Sequence, residues 1–203
     1  MITSRPSLGQ IVGGVALCEA VGLTAGYFTA SSVNSWYKTL ILPSIAPPDW
    51  VFAPVWTILY AMMGVALAYL WAAPPNAVGR TWALRWFWIQ LALNFAWSAV
   101  FFGWRAPAAG YAIICVLWIA IAALLWTGAR ASRPTLWLLL PYFLWVTFAS
   151  SLNFGILSLN VLKEKVQVMD ADPANANSPL SDMGIREKNQ RKQDEARRKA
   201  LGQ

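Results

Sequence analysis

Three stripes of aromatic and amide side chains carry the chemistry that this 203-residue sequence offers. Trp56 and Tyr60 stand four positions apart, with Gly64 one further turn along. Gln90, Asn94 and Trp97 follow at steps of four and three, and Tyr142, Trp145 and Ala149 at steps of three and four. Each spacing puts its set on one face of a helix. An amide facing lipid would lack partners, so Gln90 and Asn94 are expected to face protein. Two arrangements satisfy the stripes. One is a shared cavity with aromatic walls and few polar groups, suited to a flat apolar ligand with polar edges. The other is plain helix packing beside interfacial tryptophan belts. Trp71, Trp82, Trp86, Trp104 and Trp126 lie near the ends of apolar runs and fit a belt.

Other chemistries are excluded or weak. The chain has no histidine, which removes Ser-His-Asp and Cys-His catalysis, His-ligated haem and His-containing zinc sites. Cys18 and Cys115 sit far apart in apolar runs and read as small buried hydrophobes rather than a disulfide or CxxC pair. No phosphate loop, carboxylate pair or metal cluster is visible, so no metal and no required cofactor are expected. The basic balance of +7 is spread over run ends and the C-terminal tail, with no recognition element for nucleic acid. Glu19 is the one acid inside an apolar run. A carboxylate there is costly, so it either serves function, sits near the interface, or is protonated and hydrogen-bonded.

These residues must be positioned by helices in a membrane. The chain is 58% hydrophobic and 12% charged, with 13 Trp and a mean hydropathy of +0.46. A soluble globule of this length could not hide that much apolar surface. Charges divide residues 1–160 into five long uncharged or nearly uncharged stretches, each long enough to cross the hydrocarbon core. Without barrel-like alternation, the backbone must satisfy itself as helices. Five spans are predicted near 9–29, 52–72, 84–103, 107–128 and 134–157. A cleaved signal peptide fits the first run poorly, since the run is long and Glu19 interrupts it. The connection at 30–51 holds Pro43, Pro47 and Pro48, which favour an ordered, extended path. The other connections are short and predict antiparallel neighbours.

Residues 161–203 differ in kind, with nine Arg/Lys and seven acids. The segment reads as a polar, solvated tail. Its basic part offers two further readings, an isolated charged helix or a contact with anionic headgroups. Arg5, Arg80, Arg85, Arg130 and Arg133 on one side oppose Lys38, Arg105, Lys163 and Lys165 on the other, so the positive-inside rule leaves orientation open. Within the first run, Gly14, Cys18, Gly22 and Gly26 repeat every four residues, and small residues let helices approach closely. Gly22 and Gly26 serve packing inside the protomer or a homodimer face.

The motifs together resemble a family. Trp36-Tyr37, Pro43, Pro47-Pro48, Trp50, Pro54, Trp56, Leu59-Tyr60 and Gly64 stand in the order and spacing of the translocator protein, or tryptophan-rich sensory protein, family (TspO/MBR). So do Gln90 to Asn94 with Ala96-Trp97, Phe101-Phe102-Gly103, and Pro141-Tyr142, Trp145, Phe148-Ala149 and Leu152-Asn153. The resemblance runs from about Gly22 to Asn160. It implies a five-helix bundle, often dimeric, that binds porphyrins, haem-like tetrapyrroles and, in some members, cholesterol or synthetic ligands. Carried over by position, it implies a pocket at Trp50, Trp56, Tyr60, Asn94, Trp97, Trp145 and Ala149. Two departures stand out. Ile45 occupies a place where many members have Trp, and Phe154 to Ser158 lacks the Tyr and basic residue of the family's cholesterol motif.

The combined expectation is an all-α integral membrane protein with a five-helix bundle over 1–160 and a polar tail over 161–203. Its partners are the lipid bilayer, a tetrapyrrole such as protoporphyrin IX, and a second copy in a homodimer. The expected function is a porphyrin-binding sensor, receptor or carrier. The resemblance also permits light- and oxygen-dependent porphyrin breakdown using Trp56 and Trp145, and the tail permits a scaffold. A bacterial envelope membrane is expected because no organelle presequence precedes the first span, with an organelle membrane as the alternative.

Overall fold

The computed structural model describes residues 5–171, with side chains to residue 163. Every long element is a helix: α1 Leu8–Asn34, α2 Phe52–Ala72, α3 Arg80–Ser98, α4 Pro107–Ala131 and α5 Arg133–Ala171. All five are long and apolar enough to cross a membrane. The expected membrane-spanning, all-α architecture is therefore present. The chain divides into two units, Met1–Leu157 and Ser158–Gln203. The first holds the bundle. In the second, the described residues continue α5 as helix to Ala171. The polar tail expected from 161 thus begins as ten or so further helical residues. Polarity ends a membrane span without ending a helix, and no Gly or Pro interrupts the chain between Ile156 and Pro173. The basic stretch beyond lies outside the described residues.

Local chemistry explains the ends. Ser7 caps α1 in a reciprocal pair with Gln10: the Ser7 hydroxyl accepts from the Gln10 N–H at 3.2 Å, and the Ser7 N–H donates to Gln10 Oε1 at 2.9 Å. Pro107 opens α4, where its missing N–H is harmless. Gly79 precedes α3 with φ +86°, and a Cβ there would meet the Thr127 carbonyl oxygen at 2.6 Å. Glycine is required on both counts.

Neighbouring helices run antiparallel. Gly14 and Gly64 meet backbone to backbone where α1 crosses α2, and Gly22 lies against the Tyr60 ring. Gly22 thus packs within the protomer, whereas a Cβ on Gly26 would meet nothing. Gly110 of α4 lies on Phe101, and Gly128 faces Thr135 of α5. Two apolar clusters result. The larger gathers Met63, Leu67, Leu70, Phe87, Leu91, Ile121, Leu124, Leu139 and Tyr142. The smaller gathers Tyr37, Phe101, Leu152 and Ile156.

Candidate functional site

Between the two clusters lies an aromatic site. Its walls come from α2 (Phe52, Trp56), from α3 and its continuation (Trp97, Phe101, Phe102), and from α5 (Trp145, Ala149, Leu152, Asn153, Ile156), with Tyr37 from the α1–α2 connection. Trp56 is its hub, with ring centroids 5.7 Å from Tyr60, 6.4 Å from Trp97 and 6.4 Å from Tyr142. Trp97 stacks on Phe101 at 5.6 Å and meets Phe102 edge-on at 5.8 Å. Trp145 packs on Phe52 and Phe148. Offset and edge-on contacts of this kind are the favoured arrangements of aromatic rings.

Backbone geometry sets two of these walls. After Ser98 the helix widens into a π turn, Ala99–Gly103, with the Trp104 N–H donating to the Ala99 carbonyl at 2.9 Å. The wider turn lets the consecutive Phe101 and Phe102 both face the cluster. The α1–α2 connection carries local structure of its own. It turns through short 3-10 segments at Tyr37–Thr39 and Asp49–Val51, and its Pro43 ring lies 3.0 Å from where a Cβ on Gly155 would stand.

Beneath the rings runs a buried polar chain. Tyr60 Oη donates to Asn94 Oδ1 at 2.6 Å, Asn94 Nδ2 donates to Tyr142 Oη at 3.0 Å, and Tyr142 Oη donates to Gln90 Oε1 at 2.9 Å. Trp97 Nε1 donates to Asn153 Oδ1 at 3.1 Å, and Asn153 Nδ2 donates to the Pro107 carbonyl at 3.2 Å. Both functional ends of Asn94 are thus committed inside the protein. Among the described side chains, three buried polar atoms have no hydrogen-bond partner: Gln90 Nε2, Thr135 Oγ1 and Trp145 Nε1. Only Trp145 belongs to the wall of the site.

The structure brings Trp56, Trp97, Trp145 and Ala149 to the wall and sets Tyr60 and Asn94 behind it. Trp50 stands apart, 74% exposed in a 3-10 turn and absent from the lining. Sequence spacing did not nominate Tyr37, Phe52, Phe101, Phe102, Leu152, Asn153 or Ile156. Of these, Tyr37, Phe101, Phe102, Leu152 and Asn153 sit in the recognised motifs, which was the available signal. The free volume between these walls is only about 30 Å³, roughly one water. The rings fill their own cavity, and a drug-sized ligand needs ten times that space or more. An open groove of about 510 Å³ runs along α4 and α5 past Trp118, Thr147 and Phe154. Its polar groups are satisfied locally: Trp118 Nε1 donates to Thr147 Oγ1, and Ser150 and Ser151 donate to carbonyls one turn back.

The sequence itself has known relatives. A family model described as the TspO/MBR family matches residues 14–159. The chain is 48% identical to the tryptophan-rich protein TspO of Chlorobaculum tepidum over 150 residues, covering 72% of this chain and 92% of that one. It is 37% identical to the tryptophan-rich sensory protein of Cereibacter sphaeroides over 146 residues, covering 72% and 88%. It is 34% identical to the human translocator protein over 164 residues, covering 76% and 85%.

Proposed function

The chain belongs to the TspO/MBR family of multi-pass membrane proteins, and on that premise we propose that it is a receptor, sensor or carrier for a porphyrin such as protoporphyrin IX. The observation that carries this reading is the aromatic wall of Trp56, Trp97, Phe101 and Trp145, with one buried indole N–H left unpartnered at Trp145. A tetrapyrrole is flat and apolar with acceptor atoms at its edge. Ring stacking and apolar burial supply affinity, and the Trp145 N–H supplies a buried donor at the wall that has no partner. Asn94 acts from behind, fixing Tyr60 and Tyr142, rather than by touching the ligand. Entry requires the rings to part, with Pro43 lifting from Gly155 as the α1–α2 connection moves.

We also propose a homodimer, which the exposed face of α1 at Leu23, Gly26 and Tyr27 supports. The membrane we assign is a bacterial envelope, supported by 48% identity to a bacterial relative against 34% to the human one.

The test is a titration of the purified chain in detergent with protoporphyrin IX in the dark, followed by tryptophan quenching, beside the Trp56→Phe/Trp145→Phe variant. Saturable micromolar binding, weakened in the variant, is the expected result. Folded wild type that shows no saturable binding overturns the assignment. Illuminating the complex then separates a carrier, which returns the ligand unchanged, from an activity of Trp56 and Trp145 that alters it.

A further inference from the structure

The two ends of the Met1–Leu157 unit differ in charge. The antiparallel order of the helices brings Arg5, Arg80, Arg85, Arg130 and Arg133 to one end. Among the described residues, no acid joins them: Glu19 lies midway along α1, and Asp49 belongs to the opposite end with Lys38 and Arg105. Two of the arginines are held against exposed indoles. The Arg130 guanidinium lies 3.8 Å from the centre of the Trp126 ring, and Arg85 lies 4.9 Å from that of Trp82. Trp126 and Trp82 are 63% and 56% exposed. Gly79 packs on Thr127 and Arg130, so the start of α3 and the end of α4 form one continuous surface. Arg80 is engaged differently, since its Nε donates to the Leu70 carbonyl at 3.1 Å and closes the end of α2.

We propose that this α3–α4 end is a binding surface for anionic phospholipid headgroups, with Arg85 and Arg130 as its principal contacts. Cations without acidic neighbours attract an anionic leaflet, and the attraction accumulates per arginine. An exposed tryptophan prefers the headgroup layer, where its ring is buried and its N–H is wet. Stacking on that ring holds each guanidinium at headgroup depth while leaving its donors outward. A soluble phosphate would use the charges and gain nothing from the exposed rings, so the lipid is the occupant that fits both. The surface is separate from the aromatic site and does not depend on porphyrin binding.

Native mass spectrometry of the full chain in detergent tests it, with titration by phosphatidylglycerol and by phosphatidylcholine. Wild type is expected to bind phosphatidylglycerol more tightly. Arg85→Gln/Arg130→Gln is expected to lose roughly tenfold in phosphatidylglycerol affinity with phosphatidylcholine unchanged. Lys38→Gln/Arg105→Gln at the other end is expected to change neither. Both arginines are exposed, so the fold should survive; circular dichroism checks this, and Arg85→Lys/Arg130→Lys keeps the charge if it does not. Equal binding of the two lipids by wild type overturns the proposal. So does equal loss at both ends, or competition by glycerol 3-phosphate at matched concentration.

Discussion

Trp145 and Asn94 make opposite predictions because one indole N–H is idle and one amide is fully engaged. Trp145→Phe keeps most of the ring and deletes a donor that has no partner. It should cost only about 1 kcal/mol of thermal stability and weaken dark protoporphyrin binding about tenfold. Asn94→Leu strands the buried Tyr60 hydroxyl and removes the bond that Tyr142 Oη accepts, leaving Tyr142 only its bond to Gln90. It should cost about 1–3 kcal/mol of stability, visible as a lower midpoint in thermal denaturation. The spacing of Gln90, Asn94 and Trp97 already placed these side chains on a protein-facing stripe. It could not show that Tyr142 completes the amide pair, because a contact between α3 and α5 leaves no local periodicity. Trp50 teaches the reverse: a position carried over by resemblance sits 74% exposed, since motif order fixes place in the chain and not burial.

The elements themselves were legible from charge spacing, because lipid tolerates few charges and rewards long apolar helices. Their ends were less so. The α3 start at Arg80 and the α5 run to Ala171 lie beyond the apolar stretches, where helix propensity continues after hydrophobicity has stopped. Contacts between elements were the least legible and are the most testable. Gly64 faces the backbone of Gly14 and Val15, with Val15 N 2.5 Å from its would-be Cβ. Gly64→Val should therefore separate α1 from α2 and destabilise the bundle by about 3 kcal/mol or more, read by thermal denaturation in detergent. Gly155→Val acts more narrowly. Its side chain would push Pro43 away, so the fold should persist while acrylamide quenches tryptophan more readily and ligand associates faster.

At the scale of the whole molecule, the proposed porphyrin binding would require the filled site to open. A cavity of about 30 Å³ admits no tetrapyrrole, so on the proposed function the measured affinity would be the intrinsic one reduced by the open fraction. The association rate should level off as protoporphyrin concentration rises, since opening then limits it. Stopped-flow quenching measures this, and a rate that stays linear to high concentration would show that opening is never the limiting step. The described wall residues all lie between Tyr37 and Ile156. Truncation after Ala171 should therefore leave the plateau and the affinity unchanged, measured in the same instrument.

The π turn at Ala99–Gly103 has a genetic consequence. Each of its hydrogen bonds encloses one residue more than an α-helical bond, so the turn behaves as a single extra residue held within the helix. Most lesions in a helix are substitutions that spare its register. Deleting Ala99 would instead restore regular α geometry and turn Phe101 and Phe102 around the axis by a fraction of one helical residue step. A reading-frame-preserving loss of one codon, with every wall residue still present, would then re-aim two of the rings of the site.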